Sequence, residues 1–251
     1  MQSMQSNGYI QWMGGAGFII EYDKIRFGLD LYISNHCANE KGEFKRLTPP
    51  PCEAHEISMD YLISSHEHGD HLDMGSLAKW FRANENLKLI ATDSSIKEAK
   101  KLISENRMIA LNRGGKLEIT PDIWLEGVFC DHGDSSPDAI GVVLNFGKLR
   151  IYFTGDTKYR ADLQKQTGVK DIDILLVPIN PAFGNPGTWG AAKITEMFAP
   201  KLTVIPCHFW LFKEHGDGDP GSFEKECEKL SPKTVCTVLA SGEKFNICGG
   251  G

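Results

Sequence analysis

The sequence predicts one α/β domain over residues 1–251, in which two β-sheets pack together and helices cover their outer faces. Short apolar runs bounded by Gly, Asp and Pro predict strands along the whole chain. Strands come first and then alternate with helices, and this order recurs in a second half that begins near Lys116. Two such halves are typical of a pair of helix-covered sheets.

The first half begins with strands joined by tight turns and continues with strands separated by helices. The predicted strands are 9–12, 17–22, 25–31, 60–63 and 88–91, and the predicted helices are 73–83 and 94–104. Asp73 is a good N-cap, and Met74, Leu77, Ala78 and Phe81 share one face of the helix that it begins.

The second half follows the same order. Its predicted strands are 116–119, 123–129, 139–146, 149–154, 173–178, 202–205 and 234–239, and its predicted helices are 160–166, 189–198 and 221–230. Asp219 followed by Pro220 predicts the start of the last helix, because Asp caps a helix and Pro suits its first turn. Residues 33–58 are long and polar for a connection and contain Pro49-Pro50-Pro51, which predicts a loop insertion or lid.

Composition limits the classes of function. A net charge of −6 and a pI near 5.8 argue against binding of nucleic acid polymers. The seven scattered Cys predict reduced thiols. The N-terminal residues lack the pattern of a signal peptide, and no apolar run approaches the roughly 20 residues that cross a bilayer. We therefore expect a cytoplasmic protein with a small-molecule substrate and no membrane partner, and leave a homo-oligomer open.

The strongest functional signal is the segment His66-Glu67-His68-Gly69-Asp70-His71. It follows the predicted strand 60–63 and precedes a predicted helix, so it occupies a strand-to-helix turn. Four side chains that bind metals, packed this closely, need polar partners or a cation if they are buried. The segment predicts a metal site.

Three further residues that could bind a metal lie just past the ends of other predicted strands. His132 follows the apolar run 123–129, Asp156 follows 151–155, and His208 follows 202–207. Loops at strand ends are where a rigid sheet assembles an active site. With the four residues above, the set is large enough for two metals bridged by one carboxylate.

The order of these motifs resembles the metallo-β-lactamase superfamily. Within it, the chain is similar to L-ascorbate-6-phosphate lactonase-like hydrolases. The segments that carry the resemblance are 12–18, 30–32, 65–73, 154–157 and 205–210. The resemblance implies an αβ/βα sandwich of two mixed sheets, with two metals at one edge of the sheets.

The resemblance also implies the roles of the ligands. The first metal would be held by His66, His68 and His132, the second by Asp70, His71 and His208, with Asp156 as the bridge. His132 has Asp131 and Asp134 beside it, and either carboxylate is an alternative to it. All the donors are N or O, which permits Zn²⁺, Fe²⁺ or Mn²⁺, and the lactonase resemblance favours Mn²⁺.

Such a site predicts hydrolysis by a metal-bound hydroxide. Asp70 is the predicted catalytic residue, which orients the hydroxide or passes its proton to the leaving group. We expect a lactone or ester of a small, anionic, sugar-phosphate-like metabolite as the substrate. Two alternatives are a phosphodiesterase acting on a small phosphodiester or cyclic nucleotide, and a non-catalytic metal- or ligand-binding protein of the same fold.

Other residues are candidates for the surroundings of the site. Asp30 ends a strand and would support the 66–71 turn through hydrogen bonds. Candidates for substrate contacts, each against an ordinary structural role, are His36, Lys158, Tyr159, Arg160 and Asn180. His36, His55 and His215 lie in polar, irregular segments, which favours surface positions for all three, although His36 begins the predicted lid.

Overall fold

A computed structural model describes residues 6–248 of the chain. The extreme N-terminal residues, on which part of the signal-peptide argument rests, and the side chain of Cys248 lie outside this description. The other six cysteines are free thiols. Within the described residues, none of the helices combines the length and the apolar character that crossing a bilayer requires.

The first sheet has seven strands and contains most of the first half of the chain. Its strands are β1 (Ser6–Gly14), β2 (Gly17–Tyr22), β3 (Ile25–Leu29), β4 (Tyr61–Ser64), β5 (Lys88–Ala91), β6 (Met108–Ala110) and β13 (Lys244–Cys248). Their order across the sheet is β13-β1-β2-β3-β4-β5-β6. The pairs are antiparallel from β13 to β3 and parallel from β3 to β6.

The second sheet has six strands, all from the second half. They are β7 (Lys116–Thr120), β8 (Ile123–Phe129), β9 (Ile140–Phe146), β10 (Leu149–Phe153), β11 (Ile174–Pro178) and β12 (Thr203–Cys207). Their order is β12-β11-β10-β9-β8-β7, parallel among the first three and antiparallel among the rest. Two mixed sheets confirm the predicted fold class.

In the described part of the chain, five α-helices connect or flank the strands. They are α1 (Met74–Ala83), α2 (Asp93–Ala99), α3 (Leu163–Thr167), α4 (Gly187–Phe198) and α5 (Pro220–Leu230). The predicted caps are present, since Asp73 accepts hydrogen bonds from the backbone of Gly75 and Ser76, and Asp219 accepts one from Ser222. Asp73 also accepts hydrogen bonds from the backbone N–H groups of Ile33 and Ser34, which fixes the start of the 33–58 loop against α1.

The main core lies between the two sheets. Phe146 of the second sheet stacks on Tyr22 of the first, with ring centroids 4.8 Å apart, and lies 5.8 Å from the ring of Phe27. The opposite face of the first sheet packs on α1 in a separate apolar cluster that includes Leu77 and Trp80. Because successive side chains of a strand point to opposite faces, the first sheet contributes residues to both of these apolar cores.

Several segments differ from the prediction. Residues 234–239 are not a continuous strand; Cys236 makes an isolated parallel bridge to Val204, and the last strand of the described chain is β13. The strand β6 was also missed, because three residues carry too little periodicity to identify a strand. The predicted helix 94–104 ends early, as α2 stops at Ala99 and a turn follows.

Candidate metal centre

The loops at the ends of four strands meet where the two sheets come together. The segment 66–71 follows β4 of the first sheet, while His132, Asp156 and His208 follow β8, β10 and β12 of the second. His66, His71, His132, Asp156 and His208 are all buried. The structure therefore brings together all seven side chains that the sequence suggested as metal ligands, and their role as ligands stays a prediction.

The first cluster contains His66, His68 and His132, whose ligand atoms lie within 4.8 Å of one another. His68 Nδ1 is 3.0 Å from His66 Nε2 and 3.1 Å from His132 Nε2. The neighbouring carboxylates point elsewhere: Asp131 forms an ion pair with Arg160, and Asp134 is exposed. The geometry therefore favours His132 over either Asp as the third member of this cluster.

The second cluster has two overlapping parts that share His208. One part joins His71 and Asp156 to His208, and the other joins Asp70 and His215 to it. His71 Nε2 is 3.0 Å from His208 Nε2, and Asp70 Oδ2 is 3.3 Å from the same His208 atom. Asp156 Oδ2 lies 3.4 Å from His71 Nε2, which places this carboxylate beside both imidazoles.

His215 is the residue of the site that the sequence analysis missed. The expected surface position is wrong, because the side chain is buried and stacks on His208 with ring centroids 4.6 Å apart. Its Nε2 lies 3.5 Å from Asp70 Oδ2. A short 3₁₀ turn over Lys213–His215, which follows the buried Phe212, turns the imidazole inward. His55, by contrast, is exposed as expected.

These residues fit a metal ion in two respects. First, ring nitrogen atoms of neighbouring histidines face each other at 3.0 to 3.1 Å. One metal ion can accept the lone pairs of several such nitrogen atoms at once, whereas a proton is shared between two of them at most. In addition, Asp156 Oδ1 is buried and has no hydrogen-bond partner among the described residues. The donors are N and O atoms only, a set that suits zinc, iron and manganese.

Asp30 supports the 66–71 turn, as expected from its position after β3. Its carboxylate is fully buried and accepts a hydrogen bond from His71 Nδ1 at 2.7 Å. The backbone N–H and the hydroxyl of Ser65 donate to the same carboxylate. Asp30 therefore fixes the ring orientation of His71 and leaves Nε2 free to face His208, which is how outer carboxylates commonly hold metal-binding histidines.

Asn180 lies behind the site and does not line the cavity. It is fully buried, and its carbonyl oxygen accepts a hydrogen bond from Asn185 at 3.0 Å. The same amide of Asn185 donates to Asp156 Oδ2 at 2.7 Å. The Pro/Gly-rich loop 178–187 thus positions a bridging candidate through Asn185, a residue that the sequence analysis did not single out.

The charges of the site depend on one another. Burial alone would raise the pKa of Asp70, but His71 and His208 outweigh it and hold the pKa well below its ordinary value. Burial lowers the pKa of His132 and of His215 to about 4. Burial would also lower the pKa of His71, yet Asp156, Asp70 and Asp30 raise it well above the ordinary value. The lowered pKa of Asp70 favours the ionised carboxylate, and the raised pKa of His71 favours the protonated imidazole.

We expect the metal-free protein to lose stability as the pH falls from about 6.5 to about 4. In this window the unfolded chain takes up protons at His132 and His215 while the folded chain does not, because their folded pKa values lie near 4. Each group contributes at most about 3 kcal/mol. His71 does not oppose this change, because a raised pKa loses its contribution only as the pH rises. Urea unfolding at pH 7, 6 and 5 measures the effect.

A His132→Asn variant should show a shallower pH dependence, and a variant of the exposed His55 should show the wild-type slope. If the free energy of unfolding depends on pH equally in the wild type and in His132→Asn, His132 does not cause the loss of stability.

A cavity of about 500 Å³ opens above the two clusters. His36 lines it, together with Cys37 and Phe44 from the same 33–58 loop. The other substrate candidates do not line it. Arg160 is held in ion pairs with Asp131 and Asp162, and Lys158 and Tyr159 lie outside the lining. Of the three, Lys158 lies nearest to lining residues, since its side chain packs against Gly133 and Gly184, the neighbours of His132 and Phe183.

Comparisons with known proteins agree with the fold and the motif. Two curated relatives named UPF0173 metal-dependent hydrolase are similar to the chain. The one from Hyperthermus butylicus is 29% identical and covers 96% of this chain and 100% of its own length. The one from Caldivirga maquilingensis is 27% identical and covers 96% of this chain and 98% of its own length.

Among solved structures, Igni18, described as a novel metallo hydrolase from Ignicoccus hospitalis, matches with a TM-score of 0.75. It is 19% identical and covers 95% of this chain and 97% of its own, a likeness that concerns the fold alone. A family model described as a beta-lactamase superfamily domain matches residues 37–209, a range that contains all seven suggested ligands. The chain therefore belongs to the metallo-β-lactamase superfamily.

Proposed function

We propose that the protein is a metal-dependent hydrolase that opens a lactone or an ester of a small molecule. The observation that carries the proposal is the convergence of N and O donors from both sheets beneath one open cavity. The names of the two curated relatives support the hydrolase class. The resemblance of the sequence to lactonase-like hydrolases supports the choice of a cyclic or linear ester.

Two groups of residues would each hold one metal ion. His66, His68 and His132 would hold one divalent ion, and the cluster around His208 would hold a second, with Asp156 between them. When bound, such ions supply Lewis acidity and lower the pKa of water. Manganese is the first choice and zinc the second, on the resemblance and on the donor set.

Asp70 is the residue that we expect to act on the attacking water. It lines the cavity and its carboxylate is ionised, so it can accept a hydrogen bond from the water and orient it toward the substrate. A carboxylate with so low a pKa holds a proton poorly, which favours the orienting role over that of a proton carrier.

The test is a panel of lactones, esters and phosphodiesters with protein loaded with Mn²⁺ or Zn²⁺. We expect turnover of lactones or esters that is lost in His66→Ala and kept in His55→Ala, since His55 is exposed and lies outside the cavity. Metal content is measured on the same samples. Cleavage of phosphodiesters alone would move the protein to the alternative reaction, and stoichiometric metal binding without any turnover would indicate a binding protein.

A further inference from the structure

One side of the cavity, next to His215 of the second cluster, is aromatic. Phe44 comes from the 33–58 loop, Phe183 from the loop after β11, and Phe212 from the segment after β12. The ring of Phe44 lies 6.1 Å from that of Phe183 and meets that of Phe212 edge-on at 5.8 Å. Three separate segments of the chain thus build one apolar wall.

Two of these rings belong to residues with a strained backbone conformation. Phe44 and Phe183 both have φ of 55°, in the left-handed region that bulky residues rarely adopt. Phe183 is also 57% exposed at the cavity, although a large aromatic side chain normally favours burial. In Phe183 strain and exposure coincide at the cavity, which indicates that this ring serves a ligand, whereas Phe44 and Phe212 pack together in a small apolar cluster behind it.

The rings themselves offer no partner to a negative charge. The Lys158 side chain packs against Gly133 and Gly184, which neighbour His132 and Phe183, but it is not part of the cavity lining. No Lys or Arg among the described residues lines the cavity, and Arg160 is already paired with two carboxylates. Burial raises the pKa of the Cys37 thiol to about 11, so this lining residue is neutral. An anionic group placed against the rings would lose part of its hydration, and the rings would not replace it with a hydrogen-bond or ionic partner.

We propose that the substrate carries an uncharged aryl or bulky alkyl group, which packs against the wall formed by Phe44 and Phe183 while its ester bond faces Asp70. This inference rests on the proposed hydrolase function and replaces the anionic metabolite expected from the sequence. In the reaction water adds across the acyl–oxygen bond: the carbonyl carbon gains the hydroxyl group, and the released alkoxide oxygen takes the proton. A volume of about 500 Å³ accommodates one ring together with the ester group.

The test compares three γ-lactones that differ in one substituent: hydrogen, phenyl or carboxylate. We expect kcat/KM for the phenyl lactone to exceed that of the unsubstituted lactone about tenfold, and the carboxylate lactone to be the poorest. Phe44→Gly and Phe183→Gly remove the rings and relieve the strained backbone. Each should abolish most of the phenyl preference, mainly through KM, so that the phenyl and the unsubstituted lactone are hydrolysed with similar kcat/KM.

Trp189→Ala is the matched control, because Trp189 is 53% exposed and lies outside the cavity lining. It should keep the wild-type preference. A preference for the carboxylate lactone that is lost in Lys158→Ala would overturn the inference. Equal turnover of all three lactones would also overturn it, and in both cases the hydrolase function would stand.

Binding of the hydrolysis-resistant phenyl γ-lactam, measured by calorimetry, separates the inference from the proposed function. If no lactone turns over but the lactam binds to wild type and not to Phe183→Gly, the hydrolase proposal fails and the aromatic site is supported. If the lactam binds equally to wild type and to both Gly variants, the aromatic site is overturned whatever the turnover.

Discussion

Replacing Asp156 by Asn is expected to lower kcat/KM on the order of a thousandfold, a loss of about 4 kcal/mol of transition-state stabilisation. Asp156 Oδ2 faces His71 and His208, while Oδ1 is buried and has no hydrogen-bond partner within residues 6–248. An amide has nearly the same shape, but it lacks the charge and turns an N–H group toward one of its neighbours. We therefore expect the metal content of the purified variant to fall together with its activity.

Asp162→Asn is the control for this substitution, because Asp162 is a surface carboxylate paired with Arg160. It should keep wild-type metal content and activity. Metal content is measured by mass spectrometry after dialysis, and kcat/KM with the best lactone of the panel. An Asp156→Asn protein that keeps its metal and stays within tenfold of wild-type activity would rule out a bridging role for Asp156.

Substitutions of Asp30 should separate stability from metal affinity. Asp30→Ala leaves the Ser65 N–H and the His71 Nδ1 without their buried acceptor, which we expect to cost about 3 kcal/mol in the free energy of unfolding. Asp30→Asn keeps the shape and part of the bonding but not the charge. We expect this variant to fold and to bind metal roughly 10–100-fold more weakly.

The chain offers a matched control at Asp23. Like Asp30, it has a positive φ, 47° against 44°, but its side chain is exposed. Asp23→Ala therefore experiences the same backbone conformation without losing a buried acceptor. Urea unfolding gives the stabilities, and competition with a chelator gives the affinities. Equal destabilisation by Asp23→Ala and Asp30→Ala would show that the backbone, and not the buried carboxylate, causes the effect.

Local patterns were sufficient to predict most of the fold. The apolar runs that end at Ser64, Phe129, Phe153 and Cys207 are strands in the structure, so the residues after them meet at the junction of the sheets. The edge strand β13 was missed because its partner β1 lies at the other end of the chain. Its five residues do alternate, but the apolar run at 234–239 was the stronger local signal.

The candidate site was predictable to the extent that its residues follow strands. His215 follows no strand; packing around Phe212 turns it inward, and its polar neighbours Lys213 and Glu214 gave the opposite indication. Arg160 was an attractive anion ligand by position alone. Its partner Asp162 lies two residues away, so an ordinary ion pair was the alternative that the sequence already contained.

The division of the suggested ligands between the two sheets has a consequence for folding. A metal bound there would connect segments of the two sheets much as a cross-link does, in addition to the packing and the backbone hydrogen bonds, such as His208 N–H to Gly15 O, that already join them. It would stabilise the docked pair of sheets by about 2.7 kcal/mol at a free concentration of one hundred times its dissociation constant. Neither half contains the whole donor set, so each half expressed alone would lose this stabilisation, and metal release would accompany separation of the sheets.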